Sequence, residues 1–248
     1  MMDLLFDSKT WILIFAGVAL SFWGGIVGGS GFLTLSVLQL LCPGISFGAL
    51  VGNQKMGGVG RGIGGLFSLW NHVNWKLISK IVLVALPGTI LGASFIAHLD
   101  QRWLIFVLIF AVFLAEVLPR FAEKISKYHF WSAIFLLGFY AGFLGVGLGI
   151  FLIALLRSQM PAKKNIFSIK IQVRVAFFAL NFVAVFIHFL HGNLIAAIWI
   201  PLILGNFLGG YWSGHVMKKM QHFSGNLQNI ILRATFLLAL AVAAWRFF

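Results

Sequence analysis

Apolar runs of roughly 20 residues follow one another along almost the whole chain, and a helix of that length crosses a hydrocarbon core of about 30 Å. The pattern of apolar and polar positions predicts the elements in order. A first apolar limb at 11–26 runs into a glycine-dense turn, Gly24-Gly25-Ile26-Val27-Gly28-Gly29-Ser30-Gly31, and a shorter limb at 32–41 leaves it. Helices are expected at 46–70, 77–97 and 103–118, and a basic polar stretch at 119–129 ends this part. The pattern then restarts with a limb at 130–144, the turn Gly142-Phe143-Leu144-Gly145-Val146-Gly147-Leu148-Gly149 and a limb at 150–156. Helices at 165–190, 194–216 and 227–247 complete the chain. Each glycine costs a helix roughly 1 kcal/mol against alanine. Broken backbone at membrane depth survives only where protein buries it or where it lines a watered cavity. Both turns are therefore expected to line one site, facing each other.

The restart is a repeat. Adding 117 takes Gly25 to Gly142, Gly28 to Gly145, Gly88 to Gly205, Gly92 to Gly209 and His98 to His215, and adding 118 takes Pro43 to Pro161 and Gln54 to Gln172. Loop charges set its orientation. With four plain crossings per half, the two sides of the membrane would hold seven and six basic residues, which orients nothing. With each glycine turn at the tip of a hairpin, one side holds ten, Lys76 and Lys124 to Lys219 among them, and the other holds Lys9, Arg102 and Arg246. The excess of lysine and arginine in cytoplasmic loops selects the second arrangement. The expectation is an all-α polytopic membrane protein of two inverted repeats, 1–118 and 130–248, joined by a cytoplasmic linker at 119–129. Each repeat is a glycine-tipped helical hairpin plus three transmembrane helices. Together they form one membrane domain in the plasma (inner) membrane, with both termini outside. Inverted repeats with broken helices at mid-membrane are a transporter architecture.

Composition narrows this further. The chain is 61% hydrophobic and 9% charged over 248 residues, which leaves no room for a separate soluble domain. No cleavable leader is expected, because residues 11–26 lack a basic start and enter a turn rather than a cleavage site. The net charge of +13 is assigned to loops that set topology, not to nucleic acid. Cys42 is alone, which excludes an internal disulfide or a cysteine metal cluster, and neither a metal nor a cofactor is called for. Trp70, Trp75, Trp103 and Trp131 fall at helix ends, where aromatic belts place them. Proton or ion coupling and a homodimer are both compatible with the pattern.

Five cations stay inside apolar helices: Lys55, Arg61, Lys170, Arg174 and Arg233. The one acid in a helix is Glu116, four residues before Arg120 and suited to pair with it. A charge at mid-membrane costs at least about 2.5 kcal/mol. Lys55 lies about nine residues from the outer end of its helix, so about 14 Å deep. Arg174 lies equally deep from the inner end of its own. The expectation is an anionic ligand between these two, with backbone N–H groups near Ser30, Gly31, Gly147 and Gly149 completing the coordination, since helix N-termini offer free donors and a positive dipole end. Gln54 and Gln172, matched by the repeat, are counted with this site. The bland alternative is that both cations cap carbonyls or snorkel to the surface; Arg61, Lys170 and Arg233 are assigned to snorkelling. His188 and His191 are read as structural.

The G-x-x-G-x-x-G at Gly25, Gly28 and Gly31, its echo in the second half, and the Asn74-Trp75-Lys76 after the long helix resemble the sulfite exporter TauE/SafE family of membrane permeases. The resemblance spans nearly the whole chain, although Ser30 and Leu148 interrupt the usual glycine run. It implies transport of sulfite, sulfonates or related sulfur-containing anions; two inverted halves with a site between them add the expectation of a secondary transporter working by alternating access rather than an enzyme. Two rival classes stand beside it. Gly28-Gly29-Ser30-Gly31 with His188 or His191 as base is similar to an intramembrane serine protease, and the chain could be a membrane subunit of a larger transport complex.

Overall fold

The computed structural model describes residues 8–26, 30–99, 128–145, 147–159 and 166–219, with isolated positions between 106 and 126. The last expected helix at 227–247, most of the one at 103–118 and of the linker, Val27–Gly29 and Val146 lie outside the described residues, as do Arg102, Glu116, Arg120, Lys124, Lys163, Arg233 and Arg246. The described residues form eight α-helices: α1 Ser8–Ile26, α2 Ser30–Leu41, α3 Phe47–Leu69, α4 Trp75–Ala97, α5 Phe130–Phe143, α6 Leu148–Gln159, α7 Ile166–Leu190 and α8 Ala196–Lys219. A short 3-10 turn, Trp70–His72, follows α3. Among the described residues, three helices are long and apolar enough to cross a membrane: Ser8–Ile26, Trp75–Ala97 and Phe167–Leu190. The bundle is turned outward, with Phe15, Leu83, Phe95 and Phe182 all more than half exposed, as a hydrocarbon surround favours.

Two helix starts are fixed by side-chain caps. The Ser46 hydroxyl accepts from the N–H of Ala49 at 3.2 Å, and the Asn74 side chain accepts from Leu77 N–H at 3.2 Å. Polar and basic side chains end α6 and α8 later than the apolar pattern does. Arg157, expected in a loop, is in the last turn of α6, and Lys218 and Lys219 end α8, where cations suit the negative helix terminus.

Helix α3 is the centre of the bundle. It is buried on nearly every side and touches α1, α2, α4, α7 and α8. The outer helices pair across the sequence: α1 lies along α8, and α5 lies along α4. Glycine permits both close approaches. Gly205 and Gly209 of α8 sit against the carbonyls of Ile14 and Val18, while Gly88 and Gly92 of α4 sit against those of Phe135 and Phe139. Any side chain at these four positions would strike backbone, as in small-residue helix packing generally.

Two amide clamps tie the long helices to loops. Asn53 Nδ2 donates to the carbonyl of Asn193 at 3.2 Å, and Ile195 N–H donates back to Asn53 Oδ1 at 3.1 Å. Gln172 Nε2 donates to the carbonyl of His72 at 2.9 Å, and Asn74 N–H donates back to Gln172 Oε1 at 2.8 Å. Each clamp spans a carbonyl and the N–H two residues on, in the loop that precedes α8 or α4.

Candidate anion site

The two glycine turns meet. A cavity of about 130 Å³ is lined by Gly24, Gly25, Ser30 and Gly31 from the first and by Gly145, Gly147 and Gly149 from the second. Helices α2 and α6 begin here, so two N-termini bring their unpaired N–H groups and positive dipole ends to one space. The second turn is built for this. Gly145 and Gly147 have φ of 68° and 78°, in the left-handed region that glycine enters without strain.

Three cations reach the cavity: Arg61 from α3, and Lys170 and Arg174 from α7. Arg61 is eight residues before the end of α3 and Arg174 eight after the start of α7. Both are therefore about 12 Å in from helix ends that adjoin the basic loops. Arg61 Nη1 donates to Ser30 Oγ. Arg174 Nη2 donates to the carbonyl of Gly210 at 2.8 Å and to Ser213 Oγ at 2.9 Å. Arg174 Nε and Nη1 are buried without a hydrogen-bond partner. None of the eight helices contains an acidic residue. Bare backbone makes room for the arginine heads: a Cβ on Gly65 would strike the Arg174 guanidinium, and one on Gly24 would strike Ser30 and Arg61.

Of the residues expected at the site, Ser30, Gly31, Gly147, Gly149 and Arg174 line this cavity. The other three lie elsewhere. Lys55 is fully buried, and its Nζ donates to the carbonyls of Ala141, at 2.5 Å, and Leu144, at 3.3 Å. Those carbonyls end α5, where the last turn leaves oxygens without helical partners and the dipole is negative. Lys55 thus braces the second glycine turn from behind. Gln54 is buried with Oε1 unpartnered, and Gln172 holds the loop before α4. Conversely, Arg61 and Lys170, assigned to snorkelling from the sequence, are cavity cations. The signal for Arg61 was available: it is as deep from the end of α3 as Arg174 is from the start of α7.

A serine–histidine pair is not assembled. The Ser30 hydroxyl accepts from Arg61, His188 is buried against Gly52 on the far part of α3, and His191 bonds the carbonyl of Ile187. No group of three or more metal-ligating side chains occurs among the described residues.

Two guanidinium groups, a hydroxyl and two helix N-termini around a small space suit a compact oxyanion, because each contact to it is charge-assisted. Alanine at Gly65 is expected to leave the fold intact, since the flexible arginine head can yield. The displaced head should weaken oxyanion binding about tenfold, the factor carried by one such contact. Equal affinity of Gly65→Ala and wild type in titration calorimetry would separate Arg174 from the ligand.

Comparison with known proteins agrees with this chemistry. A family model, Sulfite exporter TauE/SafE, matches residues 13–247. No curated protein and no solved structure matches the chain.

Proposed function

Because the chain belongs to the sulfite exporter TauE/SafE family, whose members are membrane permeases and not enzymes, we propose that it carries a small sulfur-containing oxyanion across the membrane by alternating access. The observation that carries this reading is the single cavity into which both glycine turns, Arg61 and Arg174 converge. Sulfite and sulfonate groups present three oxygens in a pyramid. Two arginine forks and two sets of helix N–H groups approach such a group from different directions.

In this reading Arg61, Arg174, Ser30, Gly31, Gly147 and Gly149 touch the anion, and Lys170, one turn nearer the basic loops, draws it in. Lys55, Gln54 and Gln172 support the site without contacting it. Two inverted repeats are supported by the exchanged helix pairs and by the paired amide clamps of Asn53 and Gln172, which follow the same pattern in opposite halves. The excess of basic residues around the loops after α3, α6 and α8 supports a cytoplasmic placement of that side, termini outside, in the plasma membrane. The cavity cations then belong to the cytoplasmic half of the protein, which suits loading from the cell interior and export.

The test is thermal stabilisation of the purified protein by a panel of oxyanions. A ligand at a hundred times its Kd adds about 2.7 kcal/mol to apparent stability, which in a chain of this size raises Tm by roughly 5–10 °C. Sulfite or a sulfonate should do this and chloride should not. Equal responses to sulfite, sulfonate and chloride, or none to any, would reject an oxyanion site.

A further inference from the structure

We infer that the seam between α3 and α7 is the outward half of the substrate route, with Asn181 and His188 as its polar steps. The inference rests on the anion-transport reading above. Arg174, Asn181 and His188 recur at intervals of seven along α7, so they share one face and span about 21 Å of its axis. Each meets a glycine of α3. The missing Cβ of Gly65 would lie against the Arg174 guanidinium, that of Gly58 2.8 Å from Asn181 Nδ2, and that of Gly52 3.1 Å from His188 Cβ. Gly58 and Gly65, seven residues apart, put bare backbone on one face of α3 against this stripe, and Gly52 meets its far end from about 120° round the axis.

The polar groups on this stripe are unsatisfied. Asn181 is 2% exposed and His188 fully buried. Asn181 Nδ2 and both ring nitrogens of His188 have no hydrogen-bond partner. A buried polar atom without a partner costs about 1–3 kcal/mol, and such atoms in line along a single interface call for a reason. A route that opens in part of the cycle supplies one, since water or the anion then meets groups that are orphaned when the seam is shut. Asparagine N–H and imidazole N–H both donate to an oxyanion without holding it as an arginine does, which suits a step that must also release.

The seam begins at the cavity, at Arg174, and leads toward the end of α7 at Leu190, away from the basic loops. Its closure is visible. Phe178, between Arg174 and Asn181 on the same face, packs its ring against Gly62 of α3. Placed along α7 between Arg174 and Asn181, that apolar ring would bar the step from one to the other while the seam is shut.

The test uses the full chain in liposomes in a Cys42→Ser background. Asn181→Cys and His188→Cys are probed with a membrane-impermeant anionic thiol reagent, with Leu180→Cys, in the packed core one position off the seam, as control. Both seam cysteines should react faster than the control, at a rate that a saturating alkyl sulfonate, which does not consume the reagent as sulfite would, changes severalfold. Reactivity no greater than that of the control, with and without the sulfonate, overturns the route. In parallel, Asn181→Leu and His188→Leu should each lower sulfite flux about tenfold, the factor of one lost charge-assisted hydrogen bond, while sulfite still raises Tm as in wild type. Wild-type flux in both leucine variants, or loss of the Tm response in step with flux, also overturns it. If wild type neither binds nor moves sulfite, the transport reading itself fails, and cysteine labelling still decides whether the seam admits water.

Discussion

Sulfite binding should fall ten- to hundredfold when Arg174 becomes methionine, and should vanish from measurement when Arg61 is replaced as well. Methionine keeps length and apolar volume while removing the charge and all five donors. Arg174 spends only Nη2 on the protein, on Gly210 and Ser213, and leaves Nε and Nη1 unpartnered. Of these, Nη1 lies beside Nη2 on the end-on edge of the guanidinium and is the donor an oxyanion would take, and a charge-assisted hydrogen bond contributes about 1.5–3 kcal/mol, or the stated factor in Kd. Lysine at 174 should restore only part of the affinity, because an ammonium cannot span two oxygens as the planar fork does. Titration calorimetry with sulfite reads all three variants. Undiminished affinity in Arg174→Met would remove the arginine from the site and with it the physical basis for an oxyanion.

Lys55→Met should act on stability instead. The ammonium is the partner of two buried carbonyls, those of Ala141 and Leu144, at the end of α5. Methionine relieves the burial of one charge but strands both oxygens, at about 1–3 kcal/mol each. Removing one partner of a buried polar set usually destabilises more than the set contributes. The expected net is about 2 kcal/mol, hence a Tm roughly 4–8 °C lower. Sulfite affinity should fall by less than in Arg174→Met, because the second glycine turn is loosened rather than stripped of a ligand. An unchanged Tm together with a hundredfold loss of affinity would return Lys55 to direct contact with the anion. Comparing the two variants therefore separates the cation that recognises from the cation that braces.

That separation is also where sequence reading stops. Helix boundaries followed from the apolar runs, because hydrocarbon length and polar loops constrain them directly: α1, α4 and α7 end where the pattern ends. The meeting of the glycine turns followed from the cost of broken backbone in lipid. Depth was legible too, by counting residues from helix ends. Azimuth was not. Lys55 and Arg61 are six residues apart on α3, about 240° around its axis, so depth alone cannot say which one faces the turns. A surface helix would reveal its faces by amphipathic spacing. Helix α3 is buried almost all round and rich in glycine, so its sequence has no polar face to read. The same evenness hid the polar stripe on α7, where Asn181 and His188 stand among phenylalanines and valines at a spacing that only the packing against α3 gives meaning.

The pairing of α1 with α8 also bears on how the protein is made. Ser8–Ile26 is synthesised first among the described helices, and Ala196–Lys219 last. At roughly 5–20 residues per second, α1 waits on the order of 10–40 s in the bilayer before its partner leaves the ribosome, whereas α4 and α5 emerge close together. Until α8 arrives, Gly17 and the carbonyls of Ile14 and Val18 face lipid, α3 lacks one wall, and Arg174 lacks both Gly210 and Ser213. Among the described residues the anion site is therefore completed last, and a nascent chain stalled before residue 196 would contain every glycine of both turns while its Arg174 still lacked the two partners that position it.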